Sequence, residues 1–70
     1  MIIFNNQEFE YIDNVTISQF IQIMKDRKVL NSHNALLITK NNKLISPSEI
    51  YIEKVKDGDI INARVMPVGG

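Results

Sequence analysis

Two asparagine pairs, Asn5-Asn6 and Asn41-Asn42, and one Asp57-Gly58-Asp59 triplet cut this chain into short pieces. Each is a turn signal, because asparagine, aspartate and glycine tolerate the left-handed backbone that tight turns require. Around them stand brief apolar runs: Met1-Ile2-Ile3-Phe4, Glu8-Phe9-Glu10-Tyr11, Ala35-Leu36-Leu37-Ile38-Thr39, Lys43-Leu44-Ile45 and the stretch from Ile60 to Val68. One segment alone has helical spacing, with Ile17, Phe20, Ile21 and Met24 at i, i+3, i+4 and i+7. Seventy residues without a cysteine must bring these pieces together in one small core that no disulfide staples. The fold class this predicts is α+β, one helix against a sheet of short strands.

The pieces can be read individually. Met1–Phe4 and Glu8–Tyr11 form a hairpin, with Phe9 and Tyr11 on one face and Glu8 and Glu10 on the other. Thr16 is the N-cap of the helix, Gln19 completes a capping box, and Val15 and Phe20 stand at hydrophobic-staple positions. Gln19, Gln22 and Asp26 point to solvent. Lys25, Arg27 and Lys28 crowd the last turn, where positive charge complements the helix dipole, and the helix ends near Lys28 to Leu30. Ala35–Thr39 is a central strand covered on one face by the helix. Lys43–Ile45 returns from the second asparagine pair. Ser46-Pro47-Ser48-Glu49 is a capped helical turn, after which Ile50, Tyr51 and Ile52 pack on the core edge. Ile61, Ala63 and Val65 share one face of the last strand. A right-handed crossover through the helix sets a later strand parallel to the first. The sum is a mixed sheet of four to five strands with the helix packed on one face.

Composition excludes several functions. Eight basic and eight acidic residues cancel, so a basic surface for phosphate backbones is not expected. No apolar run approaches a membrane span and no signal-peptide pattern precedes the first strand, which makes a cytoplasmic protein the expectation. With no cysteine and a single histidine, His33, in a loop, neither a metal site nor a nucleophile–base pair is indicated. Glu8 and Glu10 read as a solvated strand face. Lys40, Lys43, Lys54 and Lys56 read as solubilising charge, Met24 as core and Met66 as surface. No glycine-rich phosphate loop is present, so no bound cofactor is expected.

Gly69-Gly70 is the remaining feature. A glycine pair contributes nothing to a closed domain, since glycine loses the most backbone freedom on ordering. Pro67 lacks a backbone N–H and ends sheet pairing just before it. The division expected is a body over residues 1–66 and a slim tail over 67–70, Pro67-Val68-Gly69-Gly70, shaped to carry the Gly70 carboxylate into another protein's active site. Arg64 and Met66 lie on the face of the last strand opposite Ile61, Ala63 and Val65. With Ile60 and Ile3 they form a candidate partner-binding patch on the open face of the sheet.

This order resembles the β-grasp fold of ubiquitin-like proteins and, within them, the small prokaryotic sulfur carriers of thiamine biosynthesis, the ThiS family. The resemblance spans the chain. It rests on the first strand ending in Asn5, Thr16 opening the helix, Asn41-Asn42 before Leu44-Ile45-Ser46-Pro47-Ser48-Glu49, and Asp57-Gly58-Asp59 followed after nine residues by Gly69-Gly70. Asn42 departs from the family, which usually has glycine there. Pro67-Val68 is similar to tails of the small subunit of molybdopterin synthase, the MoaD family.

The resemblance implies a carrier rather than an enzyme. A ThiF-like adenylating enzyme would use ATP to activate the Gly70 carboxylate. Sulfur from a persulfide donor would convert it to a thiocarboxylate, and a ThiG-like thiazole synthase would receive that sulfur. A MoaD-like subunit of molybdopterin synthase and a ubiquitin-like binding or tagging module are the alternatives.

Overall fold

The two asparagine pairs do what their side chains permit. Asn5 and Asn6 have φ of 48° and 68°, and Asn41 and Asn42 of 53° and 68°, so each pair makes a two-residue turn with both residues left-handed. In this computed structural model, which describes residues 1–31 and 35–66, the first pair joins β1 (Ile2–Phe4) to β2 (Gln7–Phe9), and the second joins β3 (Leu36–Lys40) to β4 (Lys43–Ile45). The remaining elements are α1 (Ile17–Asp26), a 3-10 turn (Glu49–Tyr51) and β5 (Ile60–Val65). The strands form one sheet in the order β2-β1-β5-β3-β4. β1 and β5 are parallel and the other neighbours antiparallel, as the crossover through α1 requires. β3 is interior, but the middle position belongs to β5. Both segments of the chain left undescribed bear on expectations above: His33 and the tail Pro67-Val68-Gly69-Gly70 lie outside the described residues.

α1 forms where its local signals place it. Thr16 caps Gln19 N–H at 3.2 Å, and the Gln19 side chain accepts from Thr16 N–H at 2.8 Å. The first helical N–H, of Ile17, donates to the Glu53 carbonyl at 2.9 Å, so the segment after the 3-10 turn satisfies a group the helix cannot. Ile17, Phe20, Ile21 and Met24 are all buried. They meet Ile2, Phe4, Ile38, Ile45, Val55, Ile61 and Ala63 across a single core. Phe4 stands at its centre, edge-on to Phe20 with ring centroids 5.6 Å apart and to Phe9 at 6.5 Å. Each such side chain removed from water is worth about 1.5–3 kcal/mol.

The helix stops at Asp26, a little before the expected end, because Lys28 turns left-handed at φ 60°. Lys28 N–H then bonds the Lys25 carbonyl at 3.0 Å, and Val29 N–H the Met24 carbonyl at 2.9 Å, the pattern of a Schellman motif with lysine in glycine's usual place.

Three sequence expectations, on Tyr11, on Tyr51 with Ile52, and on Lys40, need correction. Tyr11 lies beyond β2 and is exposed, its hydroxyl donating to Asp13 at 3.1 Å rather than packing beside Phe9. Tyr51 and Ile52 are exposed, because a single 3-10 turn directs only Ile50 inward. Val65 shares a face with Ile61 and Ala63 as expected, and is 47% exposed. The core that α1 closes takes Ile61 and Ala63 from β5 and stops there, so the covered part of the strand ends at Ala63. Lys40 is not solubilising charge. It is 15% exposed and pairs with Glu53 at 2.9 Å, with Asp59 at 3.8 Å.

Ser46 and Glu49 fulfil their reading. Glu49 N–H donates to Ser46 Oγ at 3.3 Å and Ser46 N–H to Glu49 Oε1 at 3.2 Å, a reciprocal cap. Those bonds from Ser46 hold the Glu49 carboxyl below the ordinary glutamate range.

Candidate functional site

β5 is the element from which residues 67–70 continue, and the fold holds it from both sides. Its start is set by a turn and a carboxylate. Asp57-Gly58 closes a turn in which Gly58 has φ +93° and Asp59 N–H returns to the Lys56 carbonyl at 3.0 Å. Only the third residue of this turn is left-handed, as a type II turn demands, so glycine is the residue it favours. Asp59 is buried, and its carboxylate accepts from Lys56 N–H at 2.7 Å and Asn41 Nδ2 at 3.1 Å. Asn41 also accepts from Ile60 N–H at 2.9 Å. Further along, Asn5 exchanges two side-chain hydrogen bonds with Ala63.

The face of the sheet away from α1 is uncovered. β5 presents Ile60, Asn62 and Arg64 there, since Ile61 and Ala63 point into the core. Register brings Ile3 beside Ile60, Thr39 beside Asn62 and Leu37 beside Arg64, with Leu44 opposite Thr39 on the edge strand. A shallow cleft of about 300 Å³ is lined by Leu37, Thr39, Asn42, Leu44, Asn62 and Arg64. Arg64 is exposed and makes no ion pair among the described residues.

Of the residues singled out by sequence, Ile60 and Arg64 share this face with Ile3. Met66 lies past the end of β5, its N–H bonded to the Ala35 carbonyl at 3.0 Å, and is 39% exposed. It borders a second hollow of about 450 Å³ between Leu36, Ile45, Pro47 and Ile50. Leu37 and Leu44 line both hollows and so connect Met66 to the open face. These two leucines were missed in the sequence. Their signal was present: each stands one position from an inward residue, Ile38 and Ile45, and so faces out. At 59% exposure Leu44 is among the most solvent-facing apolar residues of the protein.

Among the described residues no cluster of three or more His, Asp or Glu side chains is arranged to hold a metal, and no helix is long and apolar enough to cross a membrane. What the arrangement offers is a platform: a central strand clamped at its base, a partly apolar face with a cation, Arg64, that is unpaired among the described residues, and in the sequence a diglycine that begins four residues after Val65.

No family model matches the sequence, and no curated protein matches it. Among solved structures the chain is similar to the crystal structure of the thiamine biosynthesis protein (ThiS) from Geobacter metallireducens. That likeness has a TM-score of 0.67 at 17% identity and covers 99% of this chain and 97% of the other. The two proteins share a fold, the β-grasp roll.

Proposed function

We propose that this β-grasp protein is a sulfur carrier, not itself an enzyme, of the kind used in thiamine (thiazole) biosynthesis, with residues 1–66 as body and 67–70 as tail. The observation that supports this most directly is the course of β5. The best-clamped strand of the sheet leads to Pro67-Val68-Gly69-Gly70 in a fold similar over 99% of its length to a thiamine biosynthesis protein.

The chemistry follows from what a carboxylate lacks. Its leaving group would be oxide, so it must first be activated. A ThiF-like adenylating enzyme in the same cytoplasm binds ATP, joins AMP to the Gly70 carboxylate and releases pyrophosphate. The terminal sulfur of a persulfide then attacks the acyl carbon and AMP departs. Cleavage of the resulting S–S bond by a second thiol leaves a thiocarboxylate on Gly70 and a disulfide on the donor. A ThiG-like thiazole synthase takes up that sulfur. This chain supplies the terminus and its address, and its partners supply the catalysis and hold the cofactor. Gly70 has no β-carbon, so either face of its carbonyl is open to attack. Gly69 lets the tail bend in a channel closed to bulkier residues. Arg64, Ile60 and Met66, with Leu37 and Leu44 between them, are the docking surface.

Mass spectrometry of the C-terminal peptide, from protein expressed in its own host, tests the reading. The expected result is a gain equal to sulfur replacing oxygen, located to Gly70 by fragmentation. Gly70→Ala should fold normally and load far more slowly. A Gly70 that never exchanges oxygen for sulfur, or an alanine variant loaded at the normal rate, overturns it. Copurification with a larger molybdopterin synthase subunit instead of a thiazole synthase would move the protein to the MoaD-like alternative.

A further inference from the structure

Asn5 reaches further than a turn residue has to. Its main-chain N–H donates to the Ile61 carbonyl at 3.0 Å. Its side-chain amide closes a ring with Ala63: Ala63 N–H donates to Oδ1 at 2.9 Å, and Nδ2 donates to the Ala63 carbonyl at 3.3 Å. β1 pairs with β5 at Ile3↔Ile60 and Phe4↔Ile61, and then the chain turns away at Asn5-Asn6. On that side Ala63 has no strand beside it. A carboxamide places one donor and one acceptor side by side, as a peptide group does, so the Asn5 side chain stands in for the strand residue that the turn removed.

Past Ala63 the described chain is held from the β3 side: Arg64 pairs with Leu37, Val65 with Leu36, and Met66 N–H bonds the Ala35 carbonyl. Ala63 is thus the last point at which β5 is gripped along both edges, four residues before Pro67. A strand held along one edge can hinge about that edge, and a strand held along both cannot.

We propose that Asn5 is a positioning residue for loading of the terminal acyl group: its amide fixes the direction in which β5 hands over to residues 67–70. The inference rests on the carrier reading for its functional part and on geometry alone for its structural part. It assigns to a turn side chain more than 50 residues from the terminus a share in presenting it. Misplacing a reacting group by about 1 Å can cost as much as 10²-fold in rate, so loss of the clamp should act on turnover rather than on docking.

Three full-length variants test this. Asn5→Gly accepts the positive φ and removes only the amide. Asn6→Gly alters the same turn at φ 68° and leaves the amide in place. Asn5→Asp keeps the acceptor for Ala63 N–H and loses the donor. Two readouts are needed: amide exchange at Ala63 and Met66 by NMR, whose N–H groups bond the Asn5 side chain and the Ala35 carbonyl, and steady-state kinetics of loading by the host's adenylating enzyme. Asn5→Gly should exchange about tenfold faster at these amides and load with kcat lowered about tenfold at near-normal KM. Asn5→Asp should recover part of both, and Asn6→Gly should match the parent. Loading at the parental kcat while Ala63 has lost protection overturns the positioning role. Unchanged exchange in Asn5→Gly overturns the clamp itself. If the parent chain is not loaded at all, the carrier reading has failed, and the exchange experiment still decides whether Asn5 holds the end of β5.

Discussion

Asn41 and Ile60 grip each other twice: Asn41 N–H donates to the Ile60 carbonyl at 2.7 Å, and Ile60 N–H donates to Asn41 Oδ1 at 2.9 Å. The amide's other end donates to the buried Asp59. Asn5 makes the corresponding contact with Ala63, three positions further along the same strand. The first residue of each left-handed turn therefore serves two purposes, reversing its own hairpin and fixing β5.

Asn41→Gly separates those purposes. Glycine accepts φ 53°, so the turn survives, but Ile60 N–H and one oxygen of buried Asp59 lose their partner. Leaving such groups unpaired costs about 1–3 kcal/mol, and the urea midpoint should fall accordingly. A midpoint equal to the parent's would show that water replaces the amide at no cost.

Lys28→Gly should stabilise the protein. Lys28 holds φ 60° at the C-terminal end of α1, a conformation that costs an L-residue about 1–2 kcal/mol and glycine little. Part of the gain is offset by the greater freedom of glycine in the unfolded chain. A net gain of about 0.5–1 kcal/mol corresponds to a rise of a few degrees in Tm for a domain of this size. Unchanged or lower thermal stability refutes the assignment of strain to this residue.

Glu49 gives a pH dependence of definite sign. Its carboxyl is held below the ordinary glutamate value by the hydroxyl and N–H of Ser46. A group whose folded pKa is lowered contributes stability above its unfolded pKa and loses it as pH falls through the folded one. Glu49→Gln keeps the capping geometry without the titration, as Gln19 does at α1. The variant should therefore lose less stability than the parent when pH is taken from neutral to below about pH 4, the ordinary glutamate range. Parallel stability–pH curves for the two proteins would refute this.

Arg64→Glu reverses the one cation on the open face beside Leu37. Arg64 is exposed and makes no ion pair among the described residues, so Tm should stay within a degree or two. KM for the adenylating enzyme should rise about tenfold, equivalent to about 1.4 kcal/mol, with kcat little changed. Unaltered KM would remove Arg64 from the docking surface.

Legibility in the sequence followed the range of the interactions. The α1 face, its Thr16–Gln19 cap, the Ser46–Glu49 cap and the three turns are set by residues no more than seven positions apart, and all were readable. Exposure at chain positions past the helix was not. Val65 has the right parity for the core, yet the packed cluster ends at Ala63, and where that cluster ends is not written in strand alternation. Tyr51 and Ile52 look like core residues until the 3-10 turn is seen to end beneath them. Of the candidate docking face, Ile60 and Arg64 were legible from strand alternation. The outward facing of Leu37 and Leu44 was signalled by the same alternation, but their joining Ile60 and Arg64 in one patch was not, because that patch exists only when β3, β4 and β5 lie side by side.

By itself, the sequence determined which segments become strands and helix, where the chain reverses, and that a diglycine follows the last strand. Those are local matters, settled by side-chain spacing and by which residues tolerate a left-handed backbone. The tertiary structure alone decided that β5 lies in the middle of the sheet, that Lys40 reaches Glu53 and Asp59, and that Asn5 and Asn41 both close on the same strand. Such contacts join residues up to 58 positions apart. Their partners are chosen by the one arrangement that buries the apolar faces of all five strands and the helix together.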